Sequence, residues 1–139
     1  MGRILALDIG QKRIGLAVTD PLQMIAGALD TVPVHHIWDF LTAYIQTNEV
    51  SKILIGWPLQ STGAESESMR YVKPFYNRCK KLFPEIEVIT WDERFTSVMA
   101  KSAILQSGVN RKTRHDKALV DKISATILLQ SYLESAISN

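Results

Sequence analysis

Four acidic positions stand where a carboxylate is costly unless it has a partner. Asp8 interrupts the apolar run of residues 4–9, and Asp92 and Glu93 follow directly on the run of residues 87–91. Asp121 precedes Ala125, Leu128 and Tyr132 by four, seven and eleven residues, which puts it on the apolar side of a helical pattern. An ionised carboxylate in such surroundings must be paired or bind a metal. Acids brought together repel by roughly 4 kcal/mol per close pair at an effective dielectric near 20, so a convergent set needs positive charge to balance it. All-oxygen donors suit Mg²⁺ or Mn²⁺, and two such ions about 4 Å apart activate water and stabilise the leaving oxygen in phosphodiester hydrolysis. Each acid also has a bland reading: Asp8 as a turn anchor, Asp92 and Glu93 as helix caps, Asp121 as a charge on a helix dipole.

The elements that must position these acids can be read from periodicity. ILALDI at 4–9 and IGLAV at 14–18 are β-type runs separated by Gly10-Gln11-Lys12-Arg13, a tight hairpin whose Gly10 can take positive φ. Leu5 and Leu7 on one face, with Ile4 and Ala6 on the other, predict a strand covered on both sides and central in its sheet. Residues 24–32 read as a third strand closed by Pro33. Ile37, Phe40, Leu41, Tyr44 and Ile45 recur at helical spacing. KILIG at 52–56 suits a buried parallel strand that opens into a loop at Trp57-Pro58. The loop 58–63 leads through a capping box, Thr62-x-x-Glu65, into a helix with an apolar side of Met69, Val72, Phe75, Tyr76, Cys79, Leu82 and Phe83. Pro74 is expected to kink or break that helix. EVITW at 87–91 is the fifth strand, 95–106 a helix stopped by Gly108, 109–117 a polar loop, and 117–137 the last helix. Hairpin strands followed by β/α units predict an α/β fold: a mixed five-stranded sheet with helices on both faces and a site at the carboxyl ends of its strands.

Composition sets the bounds. With 139 residues, 46% hydrophobic and 22% charged, the chain reads as one soluble domain, 1–139, with no run near the roughly 18 apolar residues of a membrane span. No signal peptide or myristoylation signal is legible at the start. The single Cys79 allows no internal disulfide and fits a reducing cytoplasm. A net charge of +2 is too small to imply a polyanionic partner unless the cations are clustered.

The motifs D8-I-G-x-x-R-I-G-L-A-V-T-D20, G56-W-P-L59 with G63, D92-E-R-F-T-S97 and D121-x-x-x-A-x-x-L-L-Q130 resemble, in order and spacing, those of the YqgF/RuvX family. That resemblance runs from Ile4 to Leu133. It implies an RNase H-like fold and a bacterial nuclease, described both as a Holliday junction resolvase and as a nuclease maturing the 5′ end of the 16S rRNA precursor. It also implies Mg²⁺ or Mn²⁺ held by Asp8, Glu93 and Asp121, with Asp92 in support, and motif positions at Gly10, Arg13, Gly15, Gly56, Pro58 and Thr96. The chain departs from the family's GLPLNMDG at Gln60-Ser61-Thr62, and Ser124 stands where the family usually has Ala.

Cations near these acids point to nucleic acid. Arg111, Lys112, Arg114 and Lys117 cluster before Asp121, where a phosphate backbone would run, and Arg94 beside the acids suits a bidentate grip on phosphate. Arg13 has two readings, phosphate binding or pairing with Asp20, and Arg94 could likewise pair with Asp92. Trp57 reads as a half-buried rim residue, and His35, His36 and His115 are assigned no metal. Two rivals stand beside the nuclease. The DxG hairpin also resembles that of actin-like ATPases and sugar kinases, which need two such domains. A non-catalytic rRNA-binding assembly factor would use the acids structurally. Because each helix has one apolar face and the loops look polar, a monomer or weak homodimer is expected.

Overall fold

The computed structural model describes residues 2–60, 62–93 and 117–138. Its sheet is built from β1 (Arg3–Ile9), β2 (Arg13–Thr19), β3 (Ala26–Pro33), β4 (Val50–Trp57) and β5 (Glu87–Asp92) in the order β3-β2-β1-β4-β5. β1–β2 and β2–β3 pair antiparallel, and β1–β4 and β4–β5 pair parallel. β1 is therefore central, as its two apolar faces required. Leu5 and Leu7 point into one core, with Ile53 and Ile55 of β4, and Ile4 and Ala6 point into the other, with Leu54.

The first core is closed by α1 (Ile37–Thr47) and α2 (Met69–Leu82). Ile37 and Leu41 of α1 are fully buried there, and Trp38 stacks on Phe75 of α2 at 4.5 Å between ring centroids. The second core is closed by α3 (Lys117–Ser138), whose Ala125, Leu128 and Leu129 bury against the sheet. Helices on both faces of a mixed sheet are what the order of elements predicted.

Several local expectations are corrected. Gly10 does not sit at positive φ. It is needed because the hairpin closes tightly: Gly10 N–H donates to the Arg13 carbonyl at 2.9 Å, and a Cβ at Gly10 would lie 2.6 Å from that same oxygen. Thr62 does not cap α2, which starts seven residues later at Met69. Instead Thr62 Oγ1 accepts from Ala64 N–H, and Leu59 and Glu65 form a β-bridge that folds the loop on itself. α2 runs through Pro74 without a break, and Leu82 of its apolar set is 48% exposed. The third strand begins at Ala26, not residue 24, because the Asp20 carboxylate accepts the backbone N–H groups of Leu22, Met24 and Ile25 and holds them in a loop. That loop turns Leu22, Met24 and Ile25 outward, 63%, 70% and 73% exposed, so the exposed loops are not uniformly polar. The expected helix at 95–106 and loop at 109–116 lie outside the described residues.

Candidate active site

Strand alternation gathers the site on one face of the sheet. β1 turns Ile4, Ala6 and Asp8 toward α3, and β2 turns Arg13, Gly15 and Ala17 the same way. Asp8 and Gly15 are ladder partners. Over Gly15 lies the backbone of α3 at Asp121: a Cβ at Gly15 would meet the Asp121 carbonyl oxygen well inside the 3.0 Å limit of real contacts. Gly15 thus lets α3 come down until Asp121 is beside Asp8. Gly56 near the end of β4 does the same for the third acid. Glu93, the first residue past β5, lays its carboxyl where a Gly56 side chain would be.

The three acids are electrostatic neighbours. Burial raises the pKa of Asp8, the hydrogen bond from Glu93 opposes that rise, and the charge on Asp121 adds to it. Burial pushes the Glu93 pKa up to about 9, helped by the charge on Asp8, the hydrogen bond to it and the charge on Asp92. Both raised values favour a proton held between Glu93 and Asp8, with the hydrogen bond running from Glu93 to Asp8. Asp121 finds its positive partner in Arg13, whose Nε donates to Oδ2 at 3.3 Å. Among the described residues, no three Asp, Glu, His or Cys side chains stand together as a ready metal cage. A proton held between Glu93 and Asp8 and the guanidinium beside Asp121 offset part of the acids' charge.

Sequence-predicted residues fall into three groups. Asp8, Glu93 and Asp121 are brought together; Asp92 ends β5 opposite Trp57 in register, and it is Glu93 that hydrogen-bonds Asp8. Pro58 closes the loop after β4, its carbonyl accepting from Ser66 N–H and Oγ, and Trp57 is half-buried with its ring edge-on to Tyr76. Lys117 opens α3 one turn before Asp121. Arg94, Thr96, Arg111, Lys112 and Arg114 lie outside the described residues. Arg13 pairs with Asp121 rather than with Asp20. The sequence carried a signal for its true partner: Arg13 is two residues from Gly15 on one strand, hence on the same face as the ladder partner of Asp8.

Comparison with known proteins decides the family. The model of the family "RuvX: Holliday junction resolvase" matches residues 2–135. The chain belongs to the RuvX family. A relative from Phocaeicola vulgatus, named "Putative pre-16S rRNA nuclease", is 54% identical over 135 residues, which are 97% of each chain. One from Porphyromonas gingivalis with the same name is 51% identical over 97% of this chain and 98% of its own. Among solved structures, T. thermophilus RuvC in complex with a Holliday junction substrate superposes with a TM-score of 0.58 at 10% identity, covering 100% of this chain and 98% of that one. That likeness is one of fold, and the fold is RNase H-like. RuvX membership makes this chain a nuclease, a hydrolase of phosphodiester bonds in nucleic acid.

Proposed function

We propose that this chain, acting as one domain over 1–139 in the cytoplasm, is a Mg²⁺- or Mn²⁺-dependent nuclease that processes the 5′ end of the 16S rRNA precursor. Asp8, Glu93 and Asp121 are its metal-binding catalytic acids, with Asp92 in support. The observation that carries this reading is the convergence of three carboxylates from β1, the end of β5 and α3, over two glycines that admit them. The donor set fits a hard divalent cation, being all carboxylate oxygen. The counter-charges fit it too: a proton held between Glu93 and Asp8, and the guanidinium of Arg13 beside Asp121, stand where a cation's charge would be needed. A bound cation supplies Lewis acidity, polarising the phosphodiester and activating water, and the two-ion form of that chemistry is part of the proposal.

The chain's own groups do the rest. Gly15 and Gly56 set how closely the acids approach. Glu93 holds a hydrogen bond to Asp8. Arg94, Arg111, Lys112, Arg114 and Lys117 are the cations proposed to grip the nucleic-acid backbone. The rRNA substrate is favoured by the names of relatives at 54% and 51% identity.

A second reading, symmetric cutting of a four-way DNA junction, is favoured by the description of the family and by the apolar tip Leu22, Met24 and Ile25, a surface on which two copies of a weak homodimer could meet. One experiment separates these. The protein and its Asp8→Asn variant are incubated with a 16S precursor fragment carrying the 5′ leader, and with a synthetic four-way junction, in Mg²⁺, Mn²⁺ or chelator, while solution mass is measured. Metal-dependent trimming of the RNA by the wild type alone is expected. Paired nicks in the junction by a dimer, with the RNA intact, would overturn the rRNA reading in favour of the junction. Tight RNA binding without cleavage of either substrate would make it an assembly factor.

A further inference from the structure

Arg13 is the first residue of β2 and a cation in contact with the acid cluster. Its pair with Asp121 joins residues 108 apart in sequence, whereas the other described ion pairs, Arg70–Glu67 and Lys73–Glu65, lie together at the start of α2. The pair is set by backbone packing. α3 is seated on Gly15 at Asp121, so packing fixes the Asp121 main chain. Arg13, two residues along the same strand face, holds that carboxylate at 3.3 Å. Both side chains keep solvent access, 35% for Arg13 and 28% for Asp121. A pair so open to water is a weak one, worth at most about five-fold in an equilibrium constant.

We propose that Arg13 is the resident counter-ion of the active site: it positions Asp121 in the metal-free protein and is displaced from it when a divalent cation binds. This rests on the metal reading given above. A guanidinium carries one charge, delocalised over a plane and never lost by deprotonation, so it neutralises Asp121 at any working pH. A divalent cation brings two charges into direct contact with several oxygens and wins the carboxylate from a solvent-open pair. Arg13 is thus a positioning residue, and its effect on the cation opposes what a merely structural role would do. If it only braced Asp121, its removal would loosen a ligand and weaken cation binding. If it competes, its removal strengthens cation binding even as it weakens the metal-free fold.

The test needs no nucleic acid. Thermal unfolding of the full chain is followed from chelator through rising Mg²⁺, and separately Mn²⁺, for wild type, Arg13→Gln, Arg13→Lys, Asp121→Asn and the Arg13→Gln/Asp121→Asn double variant. Arg13→Gln should melt lower without metal, yet reach half its metal-induced shift at a two- to five-fold lower concentration. Arg13→Lys should restore much of the wild-type midpoint, because it restores the charge. In the Asp121→Asn background, Arg13→Gln should leave the midpoint where it is. An unchanged or higher midpoint in Arg13→Gln overturns the exchange, and so does an equal shift in the Asp121→Asn background, which would reveal only a general charge effect. If the wild type shows no cation response at all, the metal reading itself falls and the exchange with it. The wild-type titration therefore separates the failure of that reading from a failure of Arg13 alone.

Discussion

Gly56→Ala should leave this protein folded and nearly inactive. The Cβ it introduces would fall well inside 3.0 Å of the Glu93 carboxyl oxygen, which must retreat by about 1 Å to reach ordinary van der Waals contact at 3.4 Å. The atom that must move is the far end of a flexible side chain, so the fold absorbs the change at small cost. The chemistry does not, because a displacement of about 1 Å at a catalytic group can remove on the order of 10²-fold in rate. The assay is single-turnover cleavage at saturating protein, with melting temperature measured in the same buffer. The expected result is a rate lower by about 10²-fold with melting within a few degrees of wild type. Gly15→Ala is the matched control. Its Cβ would strike the backbone of α3 at Asp121, which cannot swing aside, so stability should drop by about 1–3 kcal/mol or more as α3 is pushed off the sheet. Full activity in a folded Gly56→Ala protein would refute the placement of Glu93. Equal melting losses in the two variants would refute the distinction between side-chain and backbone contact.

Further perturbations probe the charges. Asp8→Asn should abolish cleavage while melting stays equal or rises, since it keeps the shape and removes a charge that repels Asp121 and raises the Glu93 pKa; unchanged turnover would move the chemistry elsewhere. In chelator, wild-type stability should fall with rising pH between about 4.5 and about 9: the unfolded chain loses the Glu93 proton near the lower value and the folded protein keeps it to the upper one. The slope from this group is at most about 1.4 kcal/mol per pH unit, and denaturant titrations across that window that show a rise instead would count against a protonated Glu93. Changing Arg111, Lys112 and Arg114 together to Ala should weaken nucleic-acid binding for all sequences alike and flatten its dependence on salt, while an unaltered salt slope would make that segment a bystander.

The sheet was legible because it obeys simple periods. The two apolar faces of ILALDI demanded a central strand with cover on both sides, and β1 has it. Asp121 was placed on the buried side of its helix by counting to Ala125 and Leu128, which are both in the core. What failed depended on contacts rather than periods. Thr62-x-x-Glu65 has the letters of a capping box, but the chain spends those residues on a β-bridge before the helix starts. The third strand looked longer because Met24 and Ile25 are apolar. No periodicity announces that the Asp20 carboxylate will take three backbone donors and turn them out. Arg13 is the instructive case. Its choice among acids was set by the seating of α3 on Gly15, a tertiary contact that a strand read alone does not contain.

The same contact explains how three acids can share a site without unfolding the protein that holds them. Left ionised and bare, they would oppose the packing that brings them together. The chain answers with two counter-charges of different kinds. Glu93 lies deep against Gly56, where desolvation makes it give up its charge and hold a proton. Asp121 lies at the edge, where solvent still reaches it, and pairs with Arg13. Under the proposed metal reading, a divalent cation would replace both the proton and the guanidinium. The depth of each acid thus decides how it is neutralised while it waits. On that reading, folding and metal binding would be separate steps.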